Sequence, residues 1–574
     1  MNTSKALRSP TSAPVGAAGP DDELFFLPLG GSNEIGMNFN LYGYGPPHAR
    51  RWIIVDLGIT FGDTTTPGVE IITPDPRFAE SVADDIEAIV LTHAHEDHIG
   101  AIGWLWPRLK CPIYATPFTT FLVREKLREK GLLNEVEINV VPLGGRIQLG
   151  PFDIELVTLT HSIPEPSALA IRTPLGMILH TGDWKIDPDP IVGAPTDPLA
   201  LMALGDEGVL AMTCDSTNVF VDGTAGSEAT VRVAMTKLIG ELKGKIAVGC
   251  FASNVARMDS VIRAAEANDR RVCLQGRSMH RITAAAKSVG LLQGLQPFVT
   301  DAEAGYFPED KILYLCTGSQ GEARAALSRI ADGTHPHVTL GKGDHVVFSS
   351  RQIPGNEIAI RSLQNRLSDR GVRLHTEREH PGIHVSGHPC RDELRQMYQW
   401  VRPTIALPTH GERRHSLEHV ALALEMQTPQ AIAARNGDIV RIAPGRAEVI
   451  DEAPSGVLYV DGGVLTPQNS EFVRERRHAA SNGALFVAVT LDGKNRLAAD
   501  VMVRPFGLPA DAEDALEDLA DDLAEQAENA VKALKPGDRD DDRAVEQAVA
   551  KVLKRAAQRI WDRRPIVETI VTRL

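Results

Sequence analysis

The sequence predicts a layered α/β domain with a second, separately folded α/β unit inserted into it and a small α+β domain after it. Three observations carry that prediction. Short apolar runs repeatedly end in a histidine or an aspartate, and strand ends are where layered α/β domains hold ligands. From about residue 229 helical and extended patterns alternate regularly, which indicates a parallel sheet. After Val460-Asp461-Gly462 the pattern changes to hairpin-like strands and long amphipathic helices.

Residues 1–20 are rich in Ala, Ser, Thr, Pro and Gly, lack an apolar core of signal-peptide length, and read as a disordered leader. Residues 24–29 and 38–42 read as strands joined by the turn Gly30-Gly31-Ser32-Asn33-Glu34-Ile35-Gly36, and 52–56 is a strand ending in Asp56. Residues 86–90 are a buried strand by length and branching, and a helix begins near Asp97. Strands at 113–114 and 136–141 flank a helix at 118–130. The strand at 152–160 delivers His161, that at 176–180 delivers Asp183, and that at 209–213 delivers Asp215.

In the inserted unit, helices at 229–242, 256–267 and about 278–290 alternate with strands at 245–251, 271–274, 312–316 and 345–349. Strands at 373–375 and 405–408 read as the return to the first domain. Further on, 484–490 and 496–503 read as a hairpin around Asp492-Gly493. A helix over 510–534 carries Ala512, Ala515, Leu516, Leu519, Ala520 and Leu523 on one stripe, and Pro536-Gly537 breaks it. The helix at 544–561 bears Lys551, Lys554, Arg555 and Arg559, a solvated face first and a nucleic-acid contact second. Residues 566–571 close the chain as a strand.

A length of 574 residues suggests about three or four domains. Hydrophobic content of 43% and charged content of 24% are ordinary for a soluble protein. Cys111, Cys214, Cys250, Cys273, Cys316 and Cys390 form no CxxC pair, which argues against a disulfide framework or thiolate zinc site and for a reducing cytoplasm. No stretch approaches the roughly 18 apolar residues of a membrane span. The net charge of −15 does not exclude a nucleic-acid partner, because residues 511–528 alone hold nine acids and no base.

The chemistry concentrates in His93-Ala94-His95-Glu96-Asp97-His98. Two histidines two apart on an extended segment can point their rings the same way, and Asp97 and His98 project from the turn into a neighbouring position. Imidazole with carboxylate and no thiolate suits zinc or manganese, and two adjacent ligand sets suit two metals about 3.5–4 Å apart. A polar surface loop is the alternative, and it leaves three histidines and an aspartate within six residues unexplained. Such a site needs further ligands. His161 would complete the His93/His95 metal, Asp183 could bridge both ions, and His410 would close the second metal with Asp97 and His98.

The HxHxDH loop with His161 and Asp183 resembles the metallo-β-lactamase superfamily, an αββα sandwich. The inserted α/β unit, with Asp215 before it and Ser386-Gly387-His388 and His410 after it, resembles the β-CASP nucleases. Thr317-Gly318-Ser319-Gln320-Gly321-Glu322, Ile353-Pro354-Gly355-Asn356-Glu357, His384-Val385-Ser386-Gly387-His388 and Pro408-Thr409-His410-Gly411-Glu412 are together similar to the ribonuclease J family. The pattern breaks near 229 and 465 divide the chain into 21–228 and 384–464 for the sandwich with its return segment and linker, 229–383 for the inserted domain, which resembles the β-CASP domain, and 465–574 for the C-terminal domain.

By the same resemblance His93, His95, His161 and Asp183 would hold one zinc, and Asp97, His98, Asp183 and His410 the other; Mn2+ or Mg2+ could fill the sites in vitro. Asp56 and Asp215 match acids that support the ligands, with Asp215 able to orient a ligand histidine; either could also be a turn aspartate. His388 stands where the family has a histidine facing the scissile phosphate. Ala252, Ser253 and Asn254, with His384, Val385, Ser386, Gly387 and His388, would form the pocket for the 5′-nucleotide. Ser253 and Asn254 could equally cap the helix beginning at Val255.

The resemblance implies hydrolysis of single-stranded RNA through water activated between two divalent ions, with Asp97 or Asp183 taking the proton and His388 serving the leaving group. It implies 5′→3′ exonuclease action favoured by a 5′-monophosphate, endonuclease action beside it, and roles in rRNA processing and mRNA decay. It further implies a homodimer or homotetramer built through the C-terminal domain, a place in an RNA-degradation complex, a cytoplasmic location and no membrane partner. Two other readings are thioester or lactam hydrolysis, for which the long insertion and the His388/His410 pair have no use, and a non-catalytic RNA-binding scaffold, for which a full ligand set has none.

Overall fold

The first domain is built from alternating short strands whose branched and aromatic residues bury on one face of two facing sheets. The computed structural model describes residues 16–63, 65–353, 355–510 and 513–574. The expected leader therefore lies outside the described residues up to residue 15, as do Pro354 and Ala512. The chain divides into two compact units, 1–60 with 73–457 and 61–72 with 458–574.

In the first unit, one eight-stranded sheet runs Glu448–Glu452, Asp438–Ala443, Glu23–Gly30, Phe39–Gly45, Arg51–Val55, Ile86–Val90, Ile113–Ala115, Ile138–Val140. A seven-stranded sheet runs Arg146–Leu149, Phe152–Thr158, Ser167–Thr173, Gly176–His180, Val209–Asp215, Ile405–Thr409, Gln430–Ala431. Their facing side chains form one core: Leu24, Phe26, Tyr42, Ile53 and Val90 from the first, Ile154, Leu169, Ile178 and Leu407 from the second. The other face of the second sheet buries Leu179 and Met212 against Leu201, Leu394, Met397 and Leu422 of the helices Pro198–Glu207, Arg391–Val401 and Arg413–Glu425. Burial of such large side chains contributes about 1.5–3 kcal/mol each and fixes the strand ends that carry the functional residues.

Between Val209–Asp215 and Ile405–Thr409, which pair in parallel, the chain leaves to build the inserted domain. Its sheet is all parallel, in the order Arg271–Gln275, Ile312–Cys316, Ile246–Gly249, His345–Phe348, Arg373–His375. Here one expectation is corrected. Arg373–His375 does not return to the first domain; the helix Glu357–Asp369 crosses over and sets it parallel to His345–Phe348 at the edge of the inserted sheet.

In the second unit, Met502–Phe506, Ala484–Leu491 and Ile566–Arg573 form a three-stranded sheet. Leu485, Val487 and Val489 pack with Leu523, Ala527 and Val531 of the helix Glu513–Ala533 and with Val545, Val549 and Leu553 of Asp542–Trp561. The second hairpin strand begins at Met502, not at residue 496. The Asp492 carboxylate accepts from the amides of Lys494 and Arg496 and pairs with the Arg496 guanidinium, so these residues curl into a loop after a single bridge between Leu491 and Leu497.

Candidate metal centre

The Ile86–Val90 strand ends in Leu91-Thr92, and the loop that follows stays extended through His95 before the short helix Glu96–Ile99. Gly58 lets this loop close down, since a Cβ there would stand 1.7 Å from the Asp97 carbonyl. His161 follows Phe152–Thr158, Asp183 follows Gly176–His180, and His410 follows Ile405–Thr409. All seven residues expected to bind metal meet at these strand ends. His93, His95, His161 and Asp183 place ligand atoms within 4.8 Å of one another, and so do Asp97, His98, Asp183 and His410.

In the first cluster His95 Nδ1 lies 3.1 Å from both His93 Nε2 and His161 Nε2. Asp183 Oδ2 lies 3.8 Å from each of those Nε2 atoms. In the second, Asp183 Oδ2 is 3.2 Å from His98 Nε2 and Asp183 Oδ1 is 2.8 Å from His410 Nδ1. Asp97 Oδ2 is 3.6 Å from His98 Nε2 and 3.5 Å from His410 Nε2. A tetrahedral zinc site with ligands at about 2.0–2.2 Å has ligand-to-ligand edges of about 3.3–3.6 Å, and these separations bracket that range. Asp183 Oδ1 is buried and outside hydrogen-bond geometry despite its short approach to His410. An orphaned carboxylate oxygen between converging ring nitrogens is what a divalent cation would satisfy. The residues fit the implied metal.

Hydrogen bonds behind the rings select their tautomers. Asp56 accepts from Thr92 N and Thr92 Oγ1, each at 2.8 Å, and Thr92 Oγ1 in turn accepts from His93 Nδ1 at 3.0 Å, leaving Nε2 bare toward the cluster. The same carboxylate takes His98 Nδ1 at 2.7 Å. His161 Nδ1 donates to the Gly387 carbonyl at 2.6 Å. Asp215 takes His388 Nδ1 at 2.8 Å together with the amide and hydroxyl of Thr217. Its partner is thus His388, not a histidine of either cluster. Asp56 and His410 both hold left-handed backbone, φ +64° and +51°, a strained choice for non-glycine residues that recurs at functional sites.

Charge divides the histidines. Burial holds His93 and His161 well below the usual histidine range and brings His95 to about 4. Burial also opposes charge on His98 and His410, but Asp183 leads the carboxylates that outweigh it and lift both. His388 keeps 24% of its side chain exposed, and Asp215 outweighs desolvation and raises it to about 9. Asp183 is held well below the carboxylate range, because His410 and His98 overcome its burial.

The expected nucleotide-pocket residues surround this centre. Ser253 Oγ sits 3.1 Å from His95 Nε2. Asn254 caps the helix Val255–Ala267, its Oδ1 accepting from Arg257 N and its Nδ2 donating to Glu228, so its side chain is committed to structure; Ala252 is half-buried beside them. Ser386 Oγ accepts from Asn218 Nδ2 and from the His388 amide. Arg257, fully buried and paired with Glu228, donates to His384 Nδ1 at 3.1 Å and reaches the Val385 carbonyl at 3.5 Å. Burial and that guanidinium keep His384 neutral, and its buried Nε2 has no partner. The sequence reading missed Thr92, Asn218, Glu228, Arg257 and Asn38. Only Thr92 carried a signal, its place inside the histidine loop.

The chain matches the metallo-β-lactamase superfamily over residues 47–210, the ribonuclease J β-CASP domain over 243–367, the Zn-dependent metallo-hydrolase RNA specificity domain over 378–432 and the ribonuclease J C-terminal domain over 471–574. It is 44% identical to ribonuclease J of Sinorhizobium meliloti over 556 residues, covering 96% of this chain and 98% of that one. It is 35% identical to ribonuclease J of Thermus thermophilus over 550 residues, covering 94% of each. A crystal structure of a protein of unknown function from Enterococcus faecalis V583 shares the fold at 17% identity, with a TM-score of 0.50 over 73% of this chain and 100% of that one.

Proposed function

From the premise that the chain belongs to the ribonuclease J family, as a metal-dependent nuclease acting on RNA, we propose a dinuclear zinc ribonuclease. It hydrolyses RNA phosphodiesters 5′→3′ from 5′-monophosphate ends and also cuts internally, in RNA maturation and decay. The observation that carries this reading is Asp183, the residue common to both clusters: its Oδ2 lies 3.8 Å from His93 and His161 Nε2 and 3.2 Å from His98 Nε2, and its Oδ1 lies 2.8 Å from His410 Nδ1.

His93, His95, His161 and Asp183 would hold one ion, and Asp97, His98, Asp183 and His410 the other; Mn2+ or Mg2+ would support the reaction in vitro. The chemistry two divalent ions would supply there is a lowered pKa for water and neutralisation of charge on the phosphate. Asp97, whose side chain is 31% exposed, can take the proton of the attacking water, and Asp183, already ionised, can serve in the same role. His388, held protonated by Asp215 through Nδ1, keeps Nε2 to donate to the leaving oxygen. Ser253 Oγ, His384 Nε2 and the amides of residues 385–388 supply donors for a terminal phosphate without a strong positive field.

Self-association belongs to the same proposal. Phe486, Met502, Phe506 and Ile570 lie on one face of the C-terminal sheet, between 47% and 72% exposed, and a dimer or tetramer would cover them. A cytoplasmic location and a place in an RNA-degradation complex go with that reading; the six cysteines are buried and free.

The test is to incubate the purified protein with 5′-monophosphorylated and 5′-triphosphorylated RNA, with and without chelator, and to size the products. Mononucleotides appearing faster from the monophosphorylated RNA, and stopped by chelator, are expected. Chelator-resistant turnover would overturn the metal mechanism.

A further inference from the structure

No sequence pattern singles out Asn38, yet its side chain forms part of the wall of the second cluster. Its Nδ2 is 3.0 Å from His98 Nε2, 3.1 Å from His410 Nδ1 and 3.2 Å from the Asp97 carbonyl. Each of those contacts falls on a member of the second cluster. The residue is 3% exposed, and its backbone is clamped on both sides: its amide donates to the Asp97 carbonyl and its carbonyl accepts from Gly58, each at 2.8 Å.

The preceding turn holds Asn38 against His410. The His410 amide donates to the Gly31 carbonyl at 2.6 Å, and Ser32 and Asn33 pair with Gly411 and Glu412. Gly31 has φ +85°, and a Cβ there would stand 2.4 Å from Asn38 Oδ1. The glycine therefore leaves room for the far end of the amide.

Nδ2 is the positive end of the amide dipole, and here it faces ring nitrogens whose lone pairs a cation would use. A half-turn about χ2 exchanges Nδ2 for Oδ1, a torsion that is broadly two-fold for asparagine. Oδ1 would then stand about 3 Å from both ring nitrogens, close to the edge of a coordination polyhedron with bonds of about 2.0–2.2 Å. It would present lone pairs to whatever those nitrogens bind.

We propose that Asn38 is an additional donor to the second cation. With Oδ1 turned inward it joins Asp97, His98, Asp183 and His410. The second position already has two carboxylates against one in the first, and a neutral oxygen added to it makes it richer still in oxygen and so the one that accepts Mn2+ more readily. This inference rests on the two-ion reading above.

The test is to titrate metal-free wild type, Asn38→Ala and Asn38→Asp with Zn2+ and with Mn2+ against a chelating indicator, and to follow melting temperature with and without metal. Wild type should bind two equivalents. Asn38→Ala should keep the first and bind the second about 10–100-fold more weakly, the scale for losing a residue that supports ligands. Asn38→Asp should bind the second at least as tightly as wild type and show a larger rise in melting temperature on adding metal.

A second equivalent of unchanged affinity in Asn38→Ala would overturn the inference and leave the two-ion reading standing. If Asn38→Ala does not fold, Asn38→Asp, nearly the same shape, decides alone, and a second equivalent weakened tenfold there would refute the role. Wild type binding a single equivalent would overturn the two-ion reading and this inference together.

Discussion

The first cluster sets three imidazoles against one carboxylate, whereas the second sets two imidazoles against two carboxylates and an amide. In the first, burial keeps the rings neutral and their lone pairs bare. In the second, the acids outweigh burial and raise His98 and His410. The first is an imidazole-rich pocket ready for a cation of zinc's preference; the second is an oxygen-rich one tied into a hydrogen-bond network. Asp183 is their one common member, so what the two clusters do together runs through it.

Asp183→Asn breaks the comparison most severely, since it removes the charge both clusters share. Turnover on RNA should fall by at least about 10³-fold, measured in single-turnover assays, with the far-ultraviolet circular dichroism unchanged. His388→Gln leaves both clusters intact and removes only the proton donor. It should lower kcat by about 10²–10⁴-fold while metal content stays at the wild-type level. Asp56→Asn acts behind both clusters, through Thr92 on His93 and directly on His98, and should weaken metal affinity by about 10–100-fold in a chelator competition.

The smallest effect separates neutral histidines that face a cation site from one that does not. His419 is buried between Ser216 Oγ at 2.8 Å and Tyr398 OH at 3.0 Å, and burial brings it to about 4. Its ordinary value is 6.5, so above that pH it is neutral in both states and its contribution is complete. Between there and pH 4 only the unfolded chain takes the proton, and stability falls as pH falls, by on the order of 1–3 kcal/mol. Urea midpoints at pH 7.5 and 5 check this, and His419→Gln should make the difference smaller by that amount while the other buried histidines keep theirs.

The first cluster was legible in the sequence because His93 and His95 lie two residues apart and His161 follows a clear strand. The second was legible only in part. Asp97 and His98 are local, but His410 arrives more than 300 residues later, and resemblance placed it more firmly than pattern did. Asn38 and Arg257 were illegible because their roles come from tertiary approach: Asn38 reaches His410 across 372 residues and Arg257 reaches His384 across 127. Local periodicity carries no record of such contacts. The strand Arg373–His375 was misassigned for a similar reason, since three residues reveal their sheet only through the crossover before them.

The account turns on two cation positions sharing Asp183. Crystals soaked in zinc, with anomalous data collected at the zinc edge, test it most directly. Two peaks are predicted, one among His93, His95, His161 and Asp183, the other among Asp97, His98, Asp183 and His410. A single peak, or peaks away from Asp183, would contradict it.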